Sequence, residues 1–520
     1  MTPTLPRRLD PSQQERLHDV ATTRVIEAGA LALHPPGTLM DRAGHSVARL
    51  LRAWQPQARH IDVVCGPGHN GGDGLVAAAA LQRHLQSLGQ GRVRAWLLQA
   101  PGRSLPADAA DALQQAQAAG VDLRPLPEAP DGSAPWGQDA DVLIDALLGI
   151  GARALEPGPL ASAAWSLAAD PRPVLCIDLP SGLDADTGRW DGPARTRRAA
   201  RVTLSMLTLK PGLLTGHGRD LAGEVWLDDL GVAIPDDAPV AARWGGFDMP
   251  HDDKSDHPHT AHKGSYGDVA VLPGQSLAGT GQGMAGAAVL AARAALHGGA
   301  GRVYLGVPAT PAAPEWDPMQ PELMLRHAPA LLDPELLASL TVVAGCGGGA
   351  TVSDGLATVL AHAARLVLDA DGLNAVARDP ALREALQRRG WMRTVITPHP
   401  LEAARLLGCS TADVMSDRLG AASGLAQRLQ VVCVLKGAGT VVATPQDRPW
   451  INASGNARLA TAGTGDVLAG MVAAAIARQP EAVTRQVCRA VHAHGAIADA
   501  WDPSQGTLTA AALARSVSPV

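Results

Sequence analysis

Residues 60–98 read HIDVVCGPGHNGGDGLVAAAALQRHLQSLGQGRVRAWLL, and this stretch decides the fold class. HIDVVCG (60–66) is a short apolar run of the buried-strand kind. From Asp73 to about Leu88, Ala and Leu recur at helical spacing, and VRAWLL (93–98) is a second apolar run. Two apolar strands joined through a helix predict parallel pairing, with helices covering the sheet. Working outward, Ala107–Ala119 reads as a helix, and DVLIDALLG, RPVLCIDLPSG and ARVTLSM each contain a strand. Before them, helical periodicity runs from about Thr22 to Trp54 and breaks at His34-Pro35-Pro36-Gly37.

The alternation pauses near Ile234. Residues 235–262 are polar, broken by Pro and Gly, and rich in His and Asp, which reads as an interdomain connection. Its histidines (His251, His257, His259, His262) are more readily solvated linker residues than metal ligands, because no rigid element fixes their geometry. Alternation resumes from Gly267 through DVAVLPG, RVYLGVP, TVVAGCG, ARLVLDADGLN, MRTVITPHP and VVCVLKGAG. The expectation is two α/β domains, residues 1–234 and 263–520, because 520 residues exceed what one ordinary core organises.

Composition narrows the function. A chain 46% hydrophobic and 18% charged builds sizeable cores. A net charge of -6 lacks the basic footprint of a general nucleic-acid binder, and 3% aromatics leaves little for base stacking. The six cysteines form no C-x-x-C pair, which argues against a zinc ribbon and for thiols in a reducing compartment. The start, MTPTLPRRLDPSQQ, has no apolar signal region, and no apolar run is long enough to span a bilayer. The expectation is a cytoplasmic protein with neither a nucleic-acid nor a membrane partner.

Ligands on open α/β sheets gather at the carboxyl ends of strands. In the first half, three loops qualify: GPGHNGGDG (66–74), DALLGIG (145–151) and DLPSGLDADTG (178–188). Each alone is a tight turn or a helix cap. Together they converge Asn70, Asp73, Asp145, Asp178 and Ser181, hard oxygen donors suited to an alkali or alkaline-earth cation. In the second half, ATAGTGDVLAG (460–470) places small residues and Asp466 at the start of an apolar helix. Loop N–H groups and the helix N-terminus there can receive phosphoryl charge while the carboxylate accepts a proton from an attacking hydroxyl. The bland alternative is a carboxylate that stabilises the helix dipole. VLKGAGTVV (434–442) sets Lys436 at a strand end, and ITPHPLEAARLL (396–407) sets His399 and Glu402 three apart across a strand-to-helix turn. AGCGGG (344–349) and DADGLN (369–374) are further strand-end loops, each individually weak.

TRVIEAGA, LMDRAG, GPGHNGGDGLVAA, DALLGIG, IDLPSGLDADTG, LTLKPGLLTG and GEVWLDDLGV together resemble the NAD(P)HX epimerase family over about residues 20–232. HKGSYGDVAVLPG, MAGAAVLAARAALHGGAGRV, QPELM, DADGLN, TPHPLEAARLLG, VLKGAGT, NASGN and ATAGTGDVLAG resemble the ADP- or ATP-dependent NAD(P)HX dehydratase family over about 260–500. The resemblance implies a Rossmann-like three-layer N-terminal domain and a ribokinase-like C-terminal domain. It implies epimerisation of R- and S-hydrates of NADH and NADPH, then phosphorylation of the S-form C6 hydroxyl and loss of phosphate. In the first domain it implies that His69, Asn70, Gly71, Gly72 and Asp73, with Gly149, Ile150, Gly151, Ala152, Arg153, Ala154 and Leu155, cradle substrate. Asn70, Asp145 and Ser181 would hold potassium. Asp178 would contact the nicotinamide end and is the first candidate acid/base, with Asp73 second. This chain has His69 where that family usually has Asn. In the second domain Ala287, Gly349 and His399 would contact the hydrated nucleotide. Lys436, Gly437, Ala438, Gly439, Thr440 and Gly465 would hold ADP or ATP with magnesium near Glu402, and Asp466 would be the base. GCGGG (345–349) stands where G-P-G-L-G is usual. Both families commonly form homo-oligomers. The competing reading is a ribokinase-like kinase for a small alcohol, with a non-catalytic N-terminal domain.

Overall fold

The computed structural model describes residues 5–98, 104–127, 136–151, 155–193, 199–246, 257–277, 282–308 and 313–520. It divides into two compact units. One holds Met1–Asp10 and Glu15–Ala242, the other Pro11–Gln14 and Arg243–Val520.

The first unit is built on an eight-stranded sheet. In chain order its strands are β1 (Arg7–Arg8), β2 (His60–Cys65), β3 (Arg92–Leu97), β4 (Asp122–Pro125), β5 (Val142–Ala146), β6 (Val174–Ile177), β7 (Arg201–Met206) and β8 (Glu224–Asp228). They lie in the order β1-β8-β7-β6-β5-β2-β3-β4, and all pair in parallel except β1, which is antiparallel to β8. The near-continuous burial of β2, β5, β6 and β7 follows from having both faces covered. On one face, α2 (Thr38–Trp54) and α3 (His69–Ser87) pack Leu51, Leu75, Val76 and Leu81 against Val63 and Ile144. On the other, Leu143 and Val64 meet Trp96, Trp136 and Leu167. Helix α1 (Val20–Leu33) precedes α2, and the break between them is set by Gly37 in the left-handed region (φ 78°).

Helix α3 begins at His69, four residues earlier than the apolar pattern alone indicates. The cause is contact rather than propensity. A Cβ on Gly71 would sit 1.9 Å from the Gly66 carbonyl oxygen, and one on Gly72 would sit 2.5 Å from Met40 Cε. The glycine run is therefore the first turn of the helix, pressed against its neighbours.

In the second unit the strands are β9 (Ala242–Gly245), β10 (Asp268–Val271), β11 (Arg302–Val307), β12 (Met324–His327), β13 (Thr341–Ala344), β14 (Arg365–Leu368), β15 (Thr394–Ile396), β16 (Val432–Leu435), β17 (Val441–Ala443) and β18 (Trp450–Asn452). They run in the order β12-β11-β10-β13-β14-β15-β16-β17-β18-β9, parallel from β12 to β16 and antiparallel through β16-β17-β18. One cluster packs α4 (Ala285–His297), α7 (Thr464–Arg478) and α8 (Val483–Asp499) on one face. A second covers the other face with α5 (Pro400–Leu407) and α6 (Arg418–Leu429) among others. Helices α4 and α7 approach so closely that a Cβ on Gly470 would lie 2.0 Å from the Ala291 carbonyl oxygen.

The stretch 235–262, expected to be an irregular connection, carries β9. Arg243, Trp244 and Gly245 pair in parallel with Trp450, Ile451 and Asn452. This strand is short and half glycine-flanked, so the pattern hid it. His262 caps the turn Lys263–Tyr266, its Nδ1 accepting the Gly264 N–H at 3.1 Å, and His257 stacks edge-on to Tyr266 at 5.4 Å. His251 lies outside the described residues. Among the described residues no cysteine is bonded to another, and no helix is long and apolar enough to cross a membrane.

Candidate active sites

Both sites are built on loops at the carboxyl ends of parallel strands, as open α/β sheets require. In the first unit, Asp178 follows β6 and adopts φ 66°, a conformation that non-glycine residues rarely hold. Lys210 Nζ donates to Asp178 Oδ1 at 2.5 Å and to the Met206 carbonyl at 2.7 Å, and its side chain is only 1% exposed. The remaining oxygen, Oδ2, accepts the Ile150 N–H at 3.1 Å. Gly149 lies against it, since a Cβ there would stand 3.0 Å from Asp178 Oδ2 and 3.4 Å from Asn70 Oδ1. The GPGHNGGDG and DALLGIG loops therefore meet at Asp178.

Asp145 ends β5 and is buried. Its Oδ1 accepts the Ser181 hydroxyl at 2.5 Å, and its Oδ2 accepts the Ser181 N–H at 2.8 Å. Burial pushes the Asp145 carboxyl up, against the lowering effect of these bonds. Asp73, in the first turns of α3, is pushed well above the usual carboxylate range by burial first, then by the charges of Asp178 and Glu27. Asn70 Nδ2 is buried and has no hydrogen-bond partner. His69 is exposed, and Gly71 and Gly72 are packing positions. Gly151 is exposed and Leu155 half-buried, while Ala152, Arg153 and Ala154 lie outside the described residues. Lys210 carried no role in the sequence reading. The signal for it was a lone lysine inside a β-rich apolar segment, a position that demands a buried partner.

In the second unit, Asp466 stands in the first turn of α7, after Gly463 in the left-handed region (φ 90°). Asp369, at the end of β14, accepts Lys436 Nζ at 2.7 Å, and Lys436 itself ends β16. Ligand atoms of Cys346, Asp369 and Asp466 lie within 4.8 Å of one another. Gly465 admits this approach, because a Cβ there would be 3.3 Å from Lys436 Nζ. Burial first, and then the charge of Asp369, push the Asp466 carboxyl up to about 6, against opposing contributions from the Cys346 thiol and Lys436. Burial and the two carboxylates hold the Cys346 thiol protonated, well above its usual range. Lys436 is raised: burial pulls it down, but Asp369 and Glu402 outweigh it.

His399 and Glu402 form a reciprocal cap on α5. His399 Nδ1 accepts the Leu401 N–H at 3.1 Å, Glu402 Oε2 accepts the His399 N–H at 2.8 Å, and His399 Nε2 faces Glu402 Oε1 at 3.1 Å. Burial raises Glu402, but the bonds to His399 and the charge of Lys436 win and lower it. Gly349 (φ 57°) gives its N–H to Asp371 Oδ2 at 2.8 Å, and a Cβ there would overlap Gln275. Ala287 is half-buried and packs beside Gly347. In the KGAGT loop, Gly437 and Ala438 are exposed, Gly439 is buried, and Thr440 Oγ1 donates to the Gly437 carbonyl at 3.0 Å. Behind the loop lies Arg418, buried on α6. It donates to the Leu435 and Lys436 carbonyls at 3.2 and 3.3 Å and is pulled down to about 10 by burial. Cys346, Asp369 and Arg418 are the members that motif reading did not single out.

Two strand-end sites, one pairing carboxylates with a buried lysine and one setting a neutral-range carboxyl at a glycine-lined helix start, define a two-domain α/β enzyme. Residues 36–212 match the family model described as YjeF-related protein N-terminus, and residues 277–519 match the one described as NAD(P)H-hydrate dehydratase. The bifunctional NAD(P)H-hydrate repair enzyme of Escherichia coli (strain K12) is 35% identical over 475 residues, 90% of this chain and 86% of that one. That of Mycobacterium leprae (strain TN) is 34% identical over 511 residues, covering 95% of this chain and 96% of the relative. A Bacillus subtilis ADP/ATP-dependent NAD(P)H-hydrate dehydratase structure, co-crystallised with ATP and Mg2+, is 29% identical over 50% of this chain and 90% of that chain, with a TM-score of 0.39. The chain belongs to the bifunctional NAD(P)H-hydrate repair enzyme family. These matches span both halves and do not support a vitamin-alcohol kinase with a passive N-terminal domain.

Proposed function

We propose that this chain repairs hydrated NADH and NADPH in two steps: the first unit interconverts the R and S hydrates, and the second returns the S form to the dihydronicotinamide at the expense of ADP or ATP. The observation that carries the reading is Asp466, a carboxyl brought to about 6 at a helix N-terminus beside Asp369, Lys436 and Cys346. A base near neutrality is what proton removal from an alcohol requires. Asp466 takes the C6 hydroxyl proton as that oxygen attacks the terminal phosphorus of the nucleotide, and the bond to the departing nucleotide phosphate breaks. Phosphate then leaves C6 with its oxygen, a proton leaves C5, and the ring double bond returns. Hydroxide would be a poor leaving group here, whereas phosphate is a good one.

Lys436 and the KGAGT loop, through Gly437, Ala438, Gly439 and Thr440, take the nucleotide phosphates, and Gly465 N–H meets the transferring group. Magnesium entering with the nucleotide would be held near Glu402 and would supply neutralising charge. Both Glu402 oxygens face His399, so Glu402 first fixes that ring for contact with the hydrated nucleotide, beside Ala287 and Gly349.

In the first unit, epimerisation requires a bond at the hydroxyl-bearing carbon to break and re-form on the other face. Asp178, held by Lys210, moves the proton, and Asp73, whose carboxyl burial and the charge of Asp178 push up, is the second candidate for that work. His69 to Asp73 and Gly149 to Leu155 cradle the substrate. Asn70 Oδ1, Asp145 and Ser181 offer three hard oxygens, and the buried Asp145 carboxyl suits potassium, which would supply a fixed countercharge. The test is incubation of purified protein with mixed hydrate epimers and ADP or ATP, followed at the dihydronicotinamide absorption band. Full recovery is expected. Recovery that stalls once the S form is consumed would remove the epimerase role.

A further inference from the structure

The first unit contains a cavity of about 480 Å³ that neither site uses. Among its lining residues are Arg49, Arg52, Arg59 and His84, over an apolar floor that includes Leu81 and Leu85, and no carboxylate lines it. It lies where α2 and α3 end and β2 begins, whereas the substrate loops lie at the opposite ends of α3 and β2. The 19 residues of α3 place it roughly 28 Å from GPGHNGGDG, at about 1.5 Å per residue. Its volume falls in the ordinary range for small-ligand sites, roughly 300–1,000 Å³.

We propose that this cavity is a second anion site, binding a small, multiply charged phosphate compound. Three arginines line the cavity; Asp228 stands near Arg49, and Asp141, which accepts the Arg59 backbone N–H at 2.7 Å, feels the charge of Arg59. Arg49 Nε is buried and has no hydrogen-bond partner, and its nearest carboxylate, Asp228, stands 4.0 Å away. Asp228 is already engaged by the Ser46 hydroxyl and the Leu230 N–H. Arg52 makes no hydrogen bond or ion pair among the described residues, and Arg59 Nη1 reaches only the Pro56 and Ala58 carbonyls at 3.1 Å each. The helix ends oppose an anion, since each C-terminus carries about half a negative charge. The helix ends together with Asp228 and Asp141 offset much of the charge of Arg49 and Arg59, and Arg52 is the arginine left without a carboxylate partner among the described residues. Guanidinium forks match phosphate oxygens in a bidentate way, and the apolar floor accepts the body of an esterified phosphate. Burial, followed by the charges of Arg52 and Arg59, holds His84 below its usual value, which shows that these groups share one field.

Two sources offer this chemistry, a free nucleotide and inorganic pyrophosphate, and equilibrium dialysis of the full chain separates them. Labelled ADP and labelled pyrophosphate would each be titrated into wild type and into the Arg52→Ala/Arg59→Ala double variant. Both substitutions lie outside the repair sites, and unchanged repair rates and melting temperature verify the fold. If a nucleotide is the occupant, the double variant binds one ADP equivalent fewer than wild type. If pyrophosphate is the occupant, ADP stoichiometry is equal in the two proteins, and pyrophosphate binding weakens at least tenfold in the variant. Equal binding of both probes by the two proteins overturns the proposal, whether or not the repair reactions are found.

Discussion

Asp466→Asn offers a prediction in which activity and stability move in opposite directions. The fold lifts this carboxyl from an ordinary value of 3.8 to about 6. A carboxyl whose folded value is raised binds its proton more tightly when folded than when unfolded. The folded state is therefore favoured below the unfolded value, and stability falls as pH rises from about 4 to about 6, then levels. The separation corresponds to roughly 3 kcal/mol as an upper bound, at about 1.4 kcal/mol per tenfold change in proton affinity. Solvent at the half-buried mouth of the site reduces this to about 1–2 kcal/mol. The amide carries no such cost, so the variant should melt higher than wild type at pH 7.5, with the difference vanishing near pH 4. Its dehydration rate should fall by about 10²–10⁴, the usual contribution of a positioned base. Scanning calorimetry across pH, paired with dihydronicotinamide recovery, reads both. In wild type the acid limb of the dehydration rate should lie near pH 6, with roughly tenfold less activity at pH 5 than on the plateau. A variant that melts lower at pH 7.5 while keeping the native rate would refute the reasoning.

Other consequences follow from the same geometry. Cys346→Ala removes a thiol whose hydrogen bond favours the Asp466 carboxylate, so the acid limb should move to higher pH, as read from the pH profile of dehydration. Lys210→Met leaves the Asp178 carboxylate buried without its cation, which should cost about 3–5 kcal/mol and abolish epimerisation, measured by calorimetry and by loss of R hydrate. Gly71→Ala would drive a Cβ to 1.9 Å from the Gly66 carbonyl, and should stop R-hydrate turnover while S-hydrate dehydration continues.

The parallel α/β class was legible in the sequence because apolar strands alternating with Ala- and Leu-rich helices leave few other packings. Asp466 was legible too, since a carboxylate directly after small residues at a helix start is a local feature. What pairs across the sheet was not. Lys436 reaches Asp369 from 67 residues away, and Lys210 reaches Asp178 from 32, through strand order that no local pattern encodes. The sequence reading left Asp369 among the weak loops and passed over Lys210 for this reason. Arg418 was hidden differently: it looks like a surface arginine on an amphipathic helix, yet it is 1% exposed and braces the KGAGT loop through the Leu435 and Lys436 carbonyls. The acid/base reading placed Asp178 first and Asp73 second; that burial, then the charges of Asp178 and Glu27, act on Asp73 is a coupling between distant segments that no local pattern encodes. Strand β9 escaped because four residues within a polar, glycine-broken stretch carry no usable periodicity.

The most direct test follows the C6 oxygen itself. S-hydrate labelled with ¹⁸O at the C6 hydroxyl would be turned over with ADP or ATP, and the products weighed by mass spectrometry. Attack of that oxygen on phosphorus, with Asp466 taking its proton, puts the label in inorganic phosphate. Label in water would contradict phosphorylation of this hydroxyl, and label retained in a stable phosphate ester would contradict the elimination.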